Sequence, residues 1–387
     1  MKDFSYLQQK YTVNTYPDRG IVLTRGEGVY LYDVNNKKYL DLMSNYGVSI
    51  LGYNNPIVTK VISKQFSELP TLHGSFGSDT RALASEKLLK KCGDNYSKVY
   101  WSSSGAEAIE AALKFAVLAT KKKRFVVASN GYHGKTLGAL SATTNEKYKK
   151  PFEPLLWEFV QIPFNDTVAL EGELDENTAA FIIEPMQGES GILIPDNDYL
   201  QNVRKVCSKK NTLLIIDEIQ TGCARTGEFL VSQSQGVGAD ILCLGKGLAG
   251  GIPVGATIVT KNVAKLIPKH IHTSTLGGNP LACAGALAVL QELDEKMLKK
   301  IREVGEYFIT QLKKINSKQI EQVRGVGCMI GIVVKDRRNN ILKLLQDEGI
   351  LAIPAGENVV RFLPPLIIEK THVDFAVKKL TKILKSL

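Results

Sequence analysis

TLLIIDEIQTG, residues 212–222, decides how the chain folds. The apolar run 213–216 is too short for a helix, and it stops on two carboxylates, Asp217 and Glu218, ahead of a glycine-bearing turn. A parallel strand buried on both faces has this form, because helices cover it above and below and leave no polar alternation. Similar runs lie at 99–101, 125–128, 159–162, 181–183, 241–244 and 256–259, separated by helix-length patterns. They predict an α/β fold with a mainly parallel seven-stranded sheet. Most of the runs end in polar or glycine-rich turns: SSSG (102–105), SNGYHG (129–134), EPMQGESG (184–191), DEIQTG (217–222) and GKGLAGG (245–251). Ligands of open α/β sheets bind at the carboxyl ends of strands, so these turns form one composite candidate site.

Outside this block, GVYLYDVNNKKYLDL (28–42) reads as a hairpin with an Asn-Asn turn. A single long helical segment is expected over about 280–315, followed by the strand-like pieces GVGCMIGIVV, ILAIPAG and NVVRFLPP. The expected organisation is a large domain, 46–280, and a smaller α+β domain built from 1–45 and 281–387.

Composition narrows the functional classes. The chain has 387 residues, 44% of them hydrophobic, enough to bury a large core. The N-terminal MKDFSYLQQK has no apolar core of a secretory signal and no apolar run is long enough to span a bilayer, so a cytoplasmic protein without a membrane partner is expected. Six scattered cysteines form no C-x-x-C pair and the five histidines are not spaced with them as zinc ligands, so no metal site is expected. The formal charge of +10 favours acidic partners, but the lysine clusters are dispersed and lack interleaved aromatics, which argues against nucleic acid.

SNGYHGKT (129–136) half-matches a nucleotide-hydrolase phosphate loop, and with LLIIDE it raises a P-loop ATPase as the rival from another class. The loop requires glycine where Ser129 stands, and that glycine makes the turn that wraps backbone N–H groups around phosphate. A better anion seat is SSSGAEAIEAALKFAV, where a helix begins after three serines and a glycine and offers free N–H donors and the positive end of its dipole. Lys246, among the glycines of GKGLAGG, and Asp217, at another strand end, supply an amine and a carboxylate facing the same crevice. These are the parts pyridoxal 5′-phosphate needs: a lysine for its aldehyde, an acid for its ring nitrogen and donors for its phosphate.

The motifs SSGAEAIEAALK, YHGKT, EPMQGESG, IIDEIQTG, GKGLAGG and STLGGNP, in this order, make the chain resemble a class III aminotransferase of the acetylornithine/ornithine type over essentially its whole length. The resemblance implies pyridoxal-phosphate fold type I, with Lys246 as the lysine that bonds the cofactor and Asp217 as the partner of its ring nitrogen. It implies Ser104, Gly105 and Ala106 at the phosphate, Gln220 at the ring hydroxyl and Tyr132 on the ring face. Thr275 is expected at the phosphate of a neighbouring subunit and Ser274 beside the substrate, which implies a homodimer with shared active sites. Arg361 is expected to clamp the α-carboxylate of 2-oxoglutarate or glutamate, Glu189 to mask that arginine, and Lys135 and Tyr16 to face a substrate carboxylate.

The pattern is closest to archaeal enzymes of lysine and arginine synthesis of the LysW-lysine/ornithine type. There the substrate's α-amine is blocked by a small acidic carrier protein, a partner the basic charge suits. The expected reaction passes the terminal amine of such a blocked diamino acid, or of N-acetylornithine, to 2-oxoglutarate, giving a semialdehyde and glutamate. Ornithine and 4-aminobutyrate are the alternative donors. Two departures from the family pattern stand out: Lys135 replaces an arginine, and Ala224 replaces a glycine in Gly222-Cys223-Ala224-Arg225-Thr226-Gly227.

Overall fold

Every residue of Thr178–Ile183, Ile241–Leu244 and Gly255–Thr260 is buried, as strands covered on both faces must be. In the computed structural model, which describes residues 3–387, these are three of seven strands in one sheet. They are β1 (Tyr96–Ser102), β2 (Arg124–Ala128), β3 (Glu158–Ile162), β4 (Thr178–Ile183), β5 (Leu213–Asp217), β6 (Ile241–Leu244) and β7 (Gly255–Thr260). Their order is β1-β7-β6-β5-β4-β2-β3. Only β7 is antiparallel to its neighbours, β1 and β6, and every other pairing is parallel. The register pairs Gly255 with Ser102, so the start of β7 lies on the same sheet edge as the carboxyl ends of the other strands.

The helix Gly105–Thr120 crosses one face of the sheet, against β1, β6 and β7, through Ala108, Ile109, Ala112, Leu113 and Ala116. Its start is fixed reciprocally. The Glu107 N–H donates to Ser104 Oγ at 3.2 Å and the Ser103 N–H donates to Glu107 Oε2 at 2.7 Å. The other face carries Pro56–Glu68, Asp79–Cys92 and Pro280–Glu292.

The single helix expected over about 280–315 is two helices, Pro280–Glu292 and Glu295–Lys313. The break occurs because Asp294 accepts from the Met297 N–H and caps a new helix start. Pro280–Glu292, buried nearly all round, packs on Pro56–Glu68 and Asp79–Cys92, on the large-sheet side.

The remainder holds two four-stranded sheets. One joins Leu23–Glu27, Tyr30–Asp33 and Lys38–Asp41 to Ile350–Leu351; the other contains Ile320–Val326, Met329–Val334, Val359–Phe362 and Ile353–Ala355. The hairpin turn is stabilised by Asp33, whose carboxylate accepts from the Asn35 and Lys37 N–H groups.

Arg225 ties the parts together. Wholly buried, it donates to the carbonyls of Cys328 and Pro364 at 3.1 and 2.5 Å and to Ser44 Oγ at 3.2 Å. Burial pulls its guanidinium down to about 10. Two left-handed residues, Cys223 at φ 54° and Ala224 at φ 69°, aim it there. Alanine therefore holds a conformation that glycine would hold without strain.

Candidate active site

Lys246 follows β6 after one residue, Gly245, and has a left-handed φ of 42°. A non-glycine residue in that conformation is held by its surroundings, and such strain gathers at functional sites. Its neighbour Gly245 lies so close to Gly105 that an added Cβ would stand 3.2 Å from Gly105 Cα. The backbone of β6 thus meets the N-terminus of Gly105–Thr120. Lys246 lines a cavity of about 270 Å³ with Gly105, Ala106, Tyr132, Lys135, Glu184, Asp217, Ile219 and Gln220. Burial, assisted by the charge of Arg361, lowers its ammonium below the usual lysine range, against the pull of Asp217, Glu184 and Glu189. A lysine held this way supplies the neutral amine a nucleophile needs.

Asp217 ends β5 with both oxygens engaged. Oδ1 accepts the Ile219 N–H at 3.0 Å and Oδ2 faces His133 Nδ1 at 2.8 Å. His133 and Asp217 are 3% and 4% exposed, so this is a dry pair. Burial alone would depress the imidazole, but the hydrogen bond to Asp217 and its charge prevail and raise it. Beside them Glu184 accepts the Tyr132 N–H at 2.9 Å, and burial raises its carboxyl to about 7.

Arg361, on Val359–Phe362, is fully buried. It donates to Gly188 O at 2.9 Å, Gln220 Oε1 at 3.3 Å, Pro354 O at 3.3 Å and Glu189 Oε2 at 2.9 Å, while its Nε has no partner among the described residues. Gly188 permits this approach, since a Cβ there would collide with Gln220 Oε1. Lys135 presents its ammonium to the ring of Tyr148, 2.8 Å from the centroid. Tyr46, at the end of three consecutive left-handed residues from Ser44, places its ring 5.9 Å from the Arg361 guanidinium carbon.

The phosphate-loop reading of SNGYHGKT has no support in this geometry. The Ser129 N–H is spent on Ile162 O, and Lys135 turns to an aromatic ring.

One crevice is thus lined by Gly105, Ala106, Tyr132, Lys135, Asp217, Gln220 and Lys246, with Arg361 and Glu189 joined to it through Gln220 and Ser104 capping the helix that enters it. Three expected residues stand elsewhere in the single chain. Ser274 accepts the Gly277 N–H at 3.0 Å and lines a separate cavity with Tyr100, His270 and His272. Thr275 is exposed, and Tyr16, 87% exposed, lines an N-terminal hollow with Gln9 and Arg19. Five residues of the crevice were not singled out from the sequence: His133, Glu184, Ile219, Tyr46 and Tyr148. The first three sit inside motifs quoted above, His133 next to Tyr132, Ile219 next to Gln220 and Glu184 five positions before Glu189, whereas Tyr46 and Tyr148 carry no sequence signal.

The crevice suits pyridoxal phosphate on its own chemistry. It offers a pyridine nitrogen a carboxylate already fixed by His133, an aldehyde an amine of lowered basicity, and an anion the free N–H groups of a sixteen-residue helix.

A family model described as aminotransferase class-III matches residues 11–384. An acetylornithine aminotransferase of Methanocaldococcus jannaschii is 39% identical over 386 residues, covering 97% of this chain and 96% of that protein. A Pyrococcus abyssi protein provisionally named a LysW-aminoadipate semialdehyde/glutamate semialdehyde transaminase is 41% identical, covering 90% of this chain and 92% of its own. Among solved structures, an ornithine aminotransferase from Toxoplasma gondii with partial occupancy of PLP at its active site superposes with a TM-score of 0.94. It is 32% identical and covers 99% of this chain and 95% of its own.

Proposed function

The chain belongs to the class III aminotransferases, with pyridoxal 5′-phosphate as cofactor, and from that premise we propose that it moves the terminal amine of an N-blocked diamino acid to 2-oxoglutarate. The products are a semialdehyde and glutamate, and the donor is N-acetylornithine or a lysine or ornithine linked through its α-amine to an acidic carrier protein. The observation that carries this reading is a pair of unequal cations, Arg361 closed by Glu189 and Lys135 without an ion pair among the described residues.

The bound cofactor supplies an electron sink for the carbon from which a proton leaves. The chain's residues do the rest. Asp217, fixed by His133, would serve the ring nitrogen of the cofactor from the wall of the crevice. Gly105 and Ala106, at the start of the helix that Ser104 caps, would donate N–H groups to an anion, and Tyr132 and Ile219 line the same crevice. Gln220, which lines the crevice and accepts from Arg361 at 3.3 Å, would serve the ring hydroxyl of the bound cofactor. Lys246 takes and returns the proton, a task its lowered basicity suits.

Substrate selection follows from the two cations. A blocked diamine brings one carboxylate, remote from its reacting amine, and Lys135 is the open receptor for it. The dicarboxylate 2-oxoglutarate brings a second carboxylate beside its carbonyl; this displaces Glu189 and takes the guanidinium fork of Arg361.

We further propose a cytoplasmic homodimer in which Ser274 and Thr275 serve the neighbouring subunit's crevice, with Tyr16 at the substrate mouth. Lysine and arginine synthesis are the pathways this chemistry serves. The test is a panel of half-reactions following loss of the visible absorbance of the lysine-bound cofactor. N-acetylornithine or the carrier-linked substrate reacts fastest if the reading holds; fastest reaction with ornithine or 4-aminobutyrate overturns it.

A further inference from the structure

Lys135 stands at the mouth of the crevice between two tyrosines. Its Nζ is 2.8 Å from the ring centroid of Tyr148 and 5.6 Å from that of Tyr132. The two rings meet edge to face, with centroids 6.3 Å apart and planes at 78°. Tyr148 comes from the short helix Glu146–Lys149, on a different segment from the loop that carries Lys135. The charges of Glu189 and Arg361 act on its hydroxyl, so it faces the side of the crevice that carries that ion pair. A free lysine ammonium on a four-carbon stem samples many rotamers, and a substrate that captures it must order it. A ring face attracts the ammonium without using its N–H donors, which stay available for a carboxylate.

We propose that Tyr148 is the positioning residue of the carboxylate receptor: its ring holds Lys135 in place, and the pair reads the carboxylate that lies remote from the reacting amine. The proposal rests on the transamination reading above and deepens it. Lys135 acts on substrate; Tyr148 acts through Lys135. The ring, rather than the hydroxyl, performs this function, and it discriminates between amines that carry a remote carboxylate and amines that do not.

The test uses the cofactor-loaded enzyme and two amines, N-acetylornithine and the carboxylate-free 1-aminopentane, in single-turnover half-reactions. In Tyr148→Leu the apparent KM for N-acetylornithine rises roughly tenfold, the scale set by ordering one lysine side chain, with the limiting rate nearly unchanged. The second-order rate constant for 1-aminopentane stays at its wild-type value. Tyr148→Phe restores the KM, because it keeps the ring. In a Lys135→Met background, Tyr148→Leu adds no further penalty.

Equal losses for both amines in Tyr148→Leu make the residue a general structural support and overturn the proposal. So does a Tyr148→Phe variant as impaired as Tyr148→Leu, or an additive double variant. A wild-type enzyme that holds the cofactor but reacts with neither amine overturns the transamination reading itself, a result distinct from the other three.

Discussion

Replacing Glu189 by glutamine should shift the enzyme's preference between its two substrates toward 2-oxoglutarate. Arg361 is wholly buried, Glu189 is about one-third exposed, and their 2.9 Å contact is a charge-assisted hydrogen bond. Such bonds contribute about 1.5–3 kcal/mol, and the exposure of Glu189 places this one at the lower end, near 1.5 kcal/mol. A dicarboxylate must break the pair before it can use the guanidinium. Glutamine keeps an oxygen for Arg361 but removes the competing charge, so the apparent KM for 2-oxoglutarate should fall about tenfold. A blocked diamine meets the opposite situation, with its methylene chain now against an unmasked cation, and its kcat/KM should fall by a similar factor. The ratio of the two then moves about a hundredfold. Stopped-flow half-reactions with 2-oxoglutarate and N-acetylornithine measure both sides separately. An unchanged or raised KM for 2-oxoglutarate would refute the view that Glu189 guards Arg361.

Three further outcomes follow from the crevice. His133→Leu leaves Asp217 without its 2.8 Å partner in a dry site. Retention of pyridoxal phosphate on dialysis should weaken and kcat/KM should drop about 10–100-fold, the cost of leaving one buried carboxylate oxygen without its donor. Gly105→Ala places a Cβ 2.9 Å from Ile219 Cγ2 and should push that side chain toward the cavity, weakening cofactor affinity about tenfold. Adding Ile219→Ala should restore the affinity, which equilibrium titration of the cofactor would show. Glu184 titrates near 7 when folded against about 4.5 when unfolded, so the folded chain holds a proton the unfolded one has lost across that window. Its contribution to stability therefore falls as pH rises from about 4.5 to 7. Urea midpoints of Glu184→Gln, compared with wild type across that range, should show a smaller decline.

The large sheet was legible because its strands are buried on both faces: a run such as Phe181-Ile182-Ile183 has no alternative reading once it is flanked by turns and helices. Lys246, Asp217 and the helix start at Ser104 were legible for the same reason, since each ends or follows a strand. The helix pair at 280–313 was misjudged because apolar periodicity continues past Leu293, and only the capping geometry of Asp294 shows the break. His133 and Tyr148 escaped for a different reason. His133 meets Asp217 across 84 positions, and Tyr148 meets Lys135 across a helix and a turn. Their roles are set by which segments the sheet edge brings together, and no local pattern encodes that.

The crevice contains two lysines, Lys246 and Lys135, and only Lys246 is the one held against Asp217 and the helix N-terminus. Reducing the cofactor-loaded protein with borohydride fixes the cofactor covalently to whichever lysine carries it, and peptide mass spectrometry then locates it. The account predicts a single phosphopyridoxyl adduct on Lys246, absent in Lys246→Ala. An adduct on Lys135, or none in a protein that has taken up the cofactor, would contradict it.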